Sequence, residues 1–147
     1  MLLVDANVLL YAVNERSAYH EEARSWLDDA LAGSTTIGFA WTVLLAFVRL
    51  TTHPSVFPRP LAPADALTVV RQWLDRPTAV VVAPTDRHLD LLAGLLGETG
   101  TGGNLTSDAH LAALALEHRA ELVSYDGDFA RFPGVRWRTP GGKRRRG

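Results

Sequence analysis

Apolar and polar positions change period repeatedly along the chain, and each change marks an element. Leu2-Leu3-Val4 is a continuous apolar run that meets Asp5, which reads as a buried strand ending in an acid. Val8 to Val13 then reads as a short helix. From there Tyr19, Ala23, Trp26, Leu27, Ala30 and Leu31 recur at i, i+4, i+7, i+8, i+11 and i+12, one face of a longer helix. Ser17 is placed to cap it, Glu21 and Glu22 lie where the dipole of its first turn favours acids, and Gly33-Ser34 ends it. Thr35 to Phe39 predicts a second strand. Trp41 to Leu50 is helical again, with a stripe of Trp41, Leu44, Leu45 and Val48.

Prolines at 54, 58, 60 and 63 make His53 to Pro63 a loop, with Pro63 suited to the first turn of a helix over Ala64 to Leu74. Ala79 to Ala83 is apolar throughout, which predicts a central parallel strand. Thr85 can cap the next helix, whose stripe is Leu89, Leu92, Ala93 and Leu96. Gly100, Gly102 and Gly103 form a flexible loop, and Asn104 opens a helix to about His118. Glu121 to Ser124 and Val135 to Trp137 complete the strands. Strands alternating with helices predict an α/β fold, a three-layer α/β/α sandwich around a mostly parallel sheet. Residues 1–138 form one domain, and 139–147 form a basic tail expected to be disordered and solvated, with contact to RNA or an acidic partner as the alternative.

Composition narrows the function classes. With 147 residues, 47% hydrophobic and 21% charged, the chain has the profile of one ordinary globular domain. The net charge of −1 gives no overall attraction to nucleic acid. Of 15 basic residues only Lys143 is not arginine; that bias suits phosphate binding, and a high-GC genome produces it equally well. The absence of cysteine excludes disulfides, thiolate catalysis and cysteine-based zinc sites. No apolar run reaches the length of a membrane span, and the first residues lack the basic start of a signal peptide, so a cytoplasmic protein is expected.

The chemistry then rests on acids at strand and helix ends. Asp5 follows the first strand and is either a helix cap or a ligand; Asn7 can cap the helix instead. Asp108 lies about one turn into its helix, on a stripe continued by Ala112 and Ala115. His110 is about 200° around that helix from Asp108 and reads as a surface or packing histidine. Asp126 and Asp128 follow the Leu122-Val123-Ser124 run, where a plain Asp-Gly turn is the alternative. The glycine loop lacks the Lys-Ser/Thr of a phosphate loop, and there is no Gly-x-Ser-x-Gly elbow. The four tryptophans read as core rather than as base-stacking platforms. Three strand-associated acids suit a hard, oxygen-seeking cation such as Mg²⁺, with Mn²⁺ as a substitute. Such a cation serves phosphodiester hydrolysis.

Four blocks carry a resemblance: Leu2 to Asn7, Trp41 to Pro54, Gly103 to Ala112 and Ser124 to Phe129. In this order and spacing they resemble a PIN-domain ribonuclease, and among these the VapC-type toxins of bacterial toxin–antitoxin pairs. The resemblance spans residues 1 to about 138. It implies a Mg²⁺-dependent endoribonuclease, a homodimer, and a cognate antitoxin as partner. Carried over position by position, Asp5, Asp108 and Asp126 match the family's metal-binding acids, while Asn7, Ser124 and Asp128 match supporting polar positions. Arg49 matches the arginine of the third helix, with RNA phosphate contact and a helix-surface salt bridge as equal readings. The family's glutamate three residues earlier falls at Ala46, which cannot bind metal; Glu15 or Asp128 are the candidates to compensate. The competing class is a weakened module that binds RNA or an antitoxin without efficient cleavage. A signalling receiver domain is disfavoured, because the only lysine is Lys143 in the tail.

Overall fold

A computed structural model describes residues 1–100, 102–103 and 105–142, together with the backbone of 145–146. Five parallel strands, β1 (Leu2–Val4), β2 (Ile37–Ala40), β3 (Ala79–Val82), β4 (Glu121–Val123) and β5 (Arg136–Arg138), form the sheet, in the order β3-β2-β1-β4-β5. A sixth strand, β6 (Arg145–Arg146), pairs antiparallel with β5. This strand lies within the basic tail, where β5 offers unpaired backbone groups at its outer edge. Lys143, Arg144 and Gly147 lie outside the described residues, as do Thr101 and Asn104.

The connecting helices are α1 (Ala6–Val13), α2 (His20–Ala32), α3 (Trp41–Thr51), α4 (Pro63–Leu74), α5 (His88–Thr99) and α6 (Leu105–Glu117). A 3₁₀ turn at Gly127–Arg131 follows β4. Helices α1 to α4 pack on one another, and α5 packs on α6. Strand order runs outward from β1 to β3, then jumps back to β4 on the other side of β1. Right-handed crossovers place helices on opposite faces when the direction of travel reverses in this way, and the result is a three-layer α/β/α sandwich.

The core explains the short strands. Leu3, Val4, Phe39, Leu122 and Val123 are fully buried between the layers, joined by Leu9, Leu27, Leu44, Phe47 and Phe129 from the helices and the turn. Burying each such side chain stabilises by roughly 1.5–3 kcal/mol. Gly38 in β2 permits a close approach: a Cβ there would meet Val82, Leu3 and Met1 at 3.2–3.3 Å.

Three expected faces differ. The apolar run Ala79 to Val82 lies at the sheet edge, not its centre, and Val80 and Val81 are partly exposed. On α3 the buried stripe is Val43, Leu44, Phe47 and Thr51, while Trp41 and Leu45 are 53% and 61% exposed. That helix is apolar on two faces, so spacing alone does not choose between them, and Trp41 is not core. On α5, Leu89 is 74% exposed and Leu95 is buried, with Leu91, Leu92 and Leu96 partly so. Polar contacts at the start of α5 set that rotation. His88 Nδ1 lies 2.7 Å from Glu117 Oε2, and His88 Nε2 lies 2.8 Å from His110 Nδ1. The expected caps Ser17 and Thr85 act one turn early, accepting from the backbone N–H groups of Tyr19 and Arg87 respectively.

Candidate active site

Strand order reverses between β1 and β4, and in open α/β sheets the crevice outside the carboxyl ends of strands at such a switch point is where ligands bind. The backbone ladder continues one step beyond both strands: Asp5 N–H donates to Val123 O, and Ser124 N–H to Arg138 O. This delivers Asp5 and Ser124 side by side at the mouth, with Asp126 two residues further on.

A bracket of hydrogen bonds fixes them. Asp5 caps α1: its Oδ1 accepts from Ala6 N–H at 2.7 Å. Its Oδ2 accepts from Ser124 Oγ at 2.6 Å and from Asn7 Nδ2 at 3.2 Å. Asn7 Nδ2 also donates to Ser124 Oγ at 3.0 Å, and Asn7 Oδ1 accepts from Tyr125 N–H at 3.1 Å. Ser124 Oγ accepts from Asp126 N–H at 2.9 Å, and Asp126 Oδ1 accepts from Asp128 N–H at 2.8 Å. Asp5 therefore caps α1 with one oxygen while the other joins the Ser124–Asn7 bracket beside the acids, so capping the helix does not exclude a role at the mouth.

Asp108 enters from the first turn of α6, on the opposite layer. Asp108, Asp126 and Asp128 each place one carboxylate oxygen so that the three lie within 4.8 Å of one another. Among the described residues no ion pair neutralises any of them or Asp5. Burial, and then the charges of Asp126, Asp5 and Asp128, push the Asp108 carboxyl up to about 6. Burial also pushes Asp5 upward, against the hydrogen bonds from Ser124 and Ala6, with Asp126 adding to the rise. Carboxylates crowded in this way gain most from a divalent cation. The donor set is all oxygen, which fits a hard ion such as Mg²⁺ or Mn²⁺. The N-termini of α1 and α6 both face this mouth and add partial positive charge that suits an anionic substrate.

Other sequence candidates fall elsewhere. Ala46 is half-buried on α3, and the clustered acids are the three aspartates, with no glutamate among them. Glu15 lines a cleft with Arg16, Phe57 and Arg59 just past the C-terminal end of α1, a helix-length from Asp5, or about 12 Å. It does not stand in for a fourth acid. Arg49 is exposed in the last turn of α3 and makes no ion pair among the described residues. His110 faces His88 and not the acids.

Two features escaped the sequence reading. One is the Glu117–His88–His110 chain, whose partners are far apart in sequence. The other is a triangle of Tyr11, Tyr19 and Tyr125 beside the acids. Its signal was present, because Tyr11 lies four residues after Asn7 on α1 and Tyr125 immediately precedes Asp126.

A family model described as the PIN domain matches residues 2–135. The chain belongs to the PIN-domain family. Ribonuclease VapC37 of Mycobacterium tuberculosis is 60% identical over 140 residues, covering 95% of this chain and 97% of that protein. Ribonuclease VapC33 of the same organism is 41% identical, covering 95% of this chain and 98% of that one. Among solved structures, VapBC2 from Rickettsia felis bound to a promoter DNA fragment aligns with a TM-score of 0.67 at 19% identity, over 94% of this chain and 97% of that chain. Mycobacterium tuberculosis VapC20, described as a sarcin–ricin loop cleaving toxin, aligns with a TM-score of 0.65 at 16% identity, over 87% and 92%. These last two likenesses show the shared PIN fold. No helix among the described residues is long and apolar enough to cross a membrane.

Proposed function

We propose that this PIN-domain protein is a Mg²⁺-dependent endoribonuclease and the toxin of a type II toxin–antitoxin pair. The observation that carries the reading is the group of three carboxylates, unpaired among the described residues and within 4.8 Å, in a chain 60% identical to a protein named as a ribonuclease. Asp108, Asp126 and Asp128 would hold the ion. Asp5 contributes its charge and a ligand position through water, since hydrogen bonds already occupy both its oxygens. A divalent cation held there would supply an activated water and offset charge on the scissile phosphate.

The chain's own residues do the positioning. Ser124 and Asn7 hold Asp5, and Ser124 together with the Asp126–Asp128 turn fixes the direction of the Asp126 carboxylate. The α1 and α6 N-termini orient the phosphodiester toward the acids. Arg49 is free to contact a neighbouring phosphate. Asp128, expected only as a supporting residue, becomes a proposed ligand and occupies part of the role left by Ala46. Cleavage of RNA should require Mg²⁺ or Mn²⁺, stop in EDTA, and fall at least a hundredfold in Asp126→Asn. Scission that persists in EDTA and in that variant would overturn the metal mechanism.

Ala46 favours one second reading, a PIN module that binds RNA or antitoxin and cuts poorly. Tight RNA binding without scission at saturating Mg²⁺ or Mn²⁺ would establish it. A cytoplasmic setting and a cognate antitoxin follow from the toxin reading, and co-expression with the product of an adjacent reading frame tests the partner.

A further inference from the structure

The tyrosine triangle joins three elements at the rim of the acid site. Ring centroids are 5.5 Å apart for Tyr11 and Tyr19, 5.2 Å for Tyr11 and Tyr125, and 4.7 Å for Tyr19 and Tyr125. Tyr11 stands one turn beyond Asn7 on α1, about 6 Å further along the axis. Tyr19 precedes α2, and Tyr125 separates Ser124 from Asp126. The triangle is tied to the site by the Tyr125 N–H, which donates to Asn7 Oδ1, and to α2 by the Tyr125 hydroxyl, which donates to Glu22 Oε1 at 2.9 Å.

Packing alone does not account for it. Tyr19 is 50% exposed and belongs to no buried cluster, and it packs on Tyr125, the residue directly before Asp126. Glu22, bonded to the Tyr125 hydroxyl, and Asp126, the next residue, place negative charge beside this rim, which disfavours a phosphate resting on it. A neutral π surface is what remains for recognition. Single-stranded RNA is commonly held by stacking of unstacked bases on aromatic side chains, and every base has a face to offer.

We propose that Tyr11, Tyr19 and Tyr125 form a stacking platform for a nucleobase of single-stranded RNA flanking the phosphodiester held at Asp108, Asp126 and Asp128, with Tyr19 supplying the open face. The proposal rests on RNA being the substrate. Tyr11 and Tyr125 hold Tyr19 in place, and the base stacks on the ring from the solvent side.

The test uses the full chain in EDTA with a short single-stranded RNA carrying 5-iodouridine. Irradiation and peptide mass spectrometry should locate adducts on Tyr19, with Tyr11 or Tyr125 as minor sites. In anisotropy measurements with labelled RNA, Tyr19→Ala should weaken binding about tenfold, and Tyr19→Phe and Tyr19→Trp should restore it. With Mg²⁺ present, Tyr19→Ala should raise KM more than it lowers kcat. Thermal denaturation checks that the exposed substitution leaves the fold intact. Unchanged binding in Tyr19→Ala, equal loss in Ala and Phe, or adducts confined to other regions would overturn the platform. So would loss of binding to a protein partner with RNA binding retained. RNA cut in Mg²⁺ with adducts elsewhere removes the platform and leaves the nuclease. Adducts on the tyrosines without scission in Mg²⁺ or Mn²⁺ remove the nuclease and leave the platform.

Discussion

Asp108 is held in a position its neighbours make unfavourable. Its carboxyl is raised from the ordinary 3.8 to about 6 by burial and by three nearby acids. A raised folded-state value means the folded protein binds a proton more readily than the unfolded chain. The destabilisation is therefore full above about pH 6 and is relieved as pH falls from there toward 3.8. In EDTA at pH 7–8, Asp108→Asn should raise Tm, and the gain should shrink at pH 5; melting curves at both pH values check this. Added Mg²⁺ should stabilise the wild type and not the variant, and wild-type metal affinity by calorimetry should fall as pH drops below about 6. Ser124 is the second sensitive position. It is fully buried, donates to Asp5 and accepts from Asp126 N–H. Ser124→Ala leaves both groups short of a partner and should cost roughly 1–3 kcal/mol in urea denaturation. It should also weaken metal binding by misdirecting the acids.

At the scale of elements, α5 shows what the sequence did and did not reveal. Its existence and its end at Gly100, which takes φ +66°, were legible because apolar spacing and glycine are local signals. Its rotation was not, because His88 meets Glu117 and His110 across 29 and 22 residues. The same reason hid the edge position of β3, since an apolar run reports hydrophobicity and not strand order. The acids at the ends of β1 and β4 were legible because a charge that interrupts an apolar strand stands out. Asp128 was legible only as a supporting position, because its approach to Asp108 depends on the fold and not on local spacing. Burial raises the Glu117 carboxyl, but its bonds from His88 and Thr85 outweigh that and leave it below its ordinary range. Burial and then His88 lower His110. A depressed carboxyl contributes stability above its unfolded value of 4.5, which is lost as pH falls through the folded value. A depressed histidine adds loss as pH falls below 6.5, because the unfolded state takes the proton first. Both act in the same direction, opposite to the acid site. Glu117→Ala should cost about 1.5–3 kcal/mol at pH 7.5 and distinctly less at pH 4, read by urea denaturation.

For the whole molecule, the α3 and α4 surface sets the question of partners. Trp41 and Leu45 lie one turn apart on α3, and Leu67 on α4 is also exposed, beside a groove lined by Val70, Arg71 and Leu74. A contiguous apolar patch containing tryptophan marks a contact surface on a monomeric fold. The homodimer that the family resemblance implies would supply an occupant, because a two-fold interface brings one patch against the same patch of a second copy. Under that symmetry a single substitution acts twice. Leu45→Glu would set two new carboxylates near each other in an apolar contact, each deprived of water. The wild type should therefore sediment as a dimer and Leu45→Glu as a monomer, with unchanged circular dichroism. If both sediment as monomers, self-association is excluded and the patch is left for a different protein. Antitoxin binding that Leu45→Glu abolishes would then assign it.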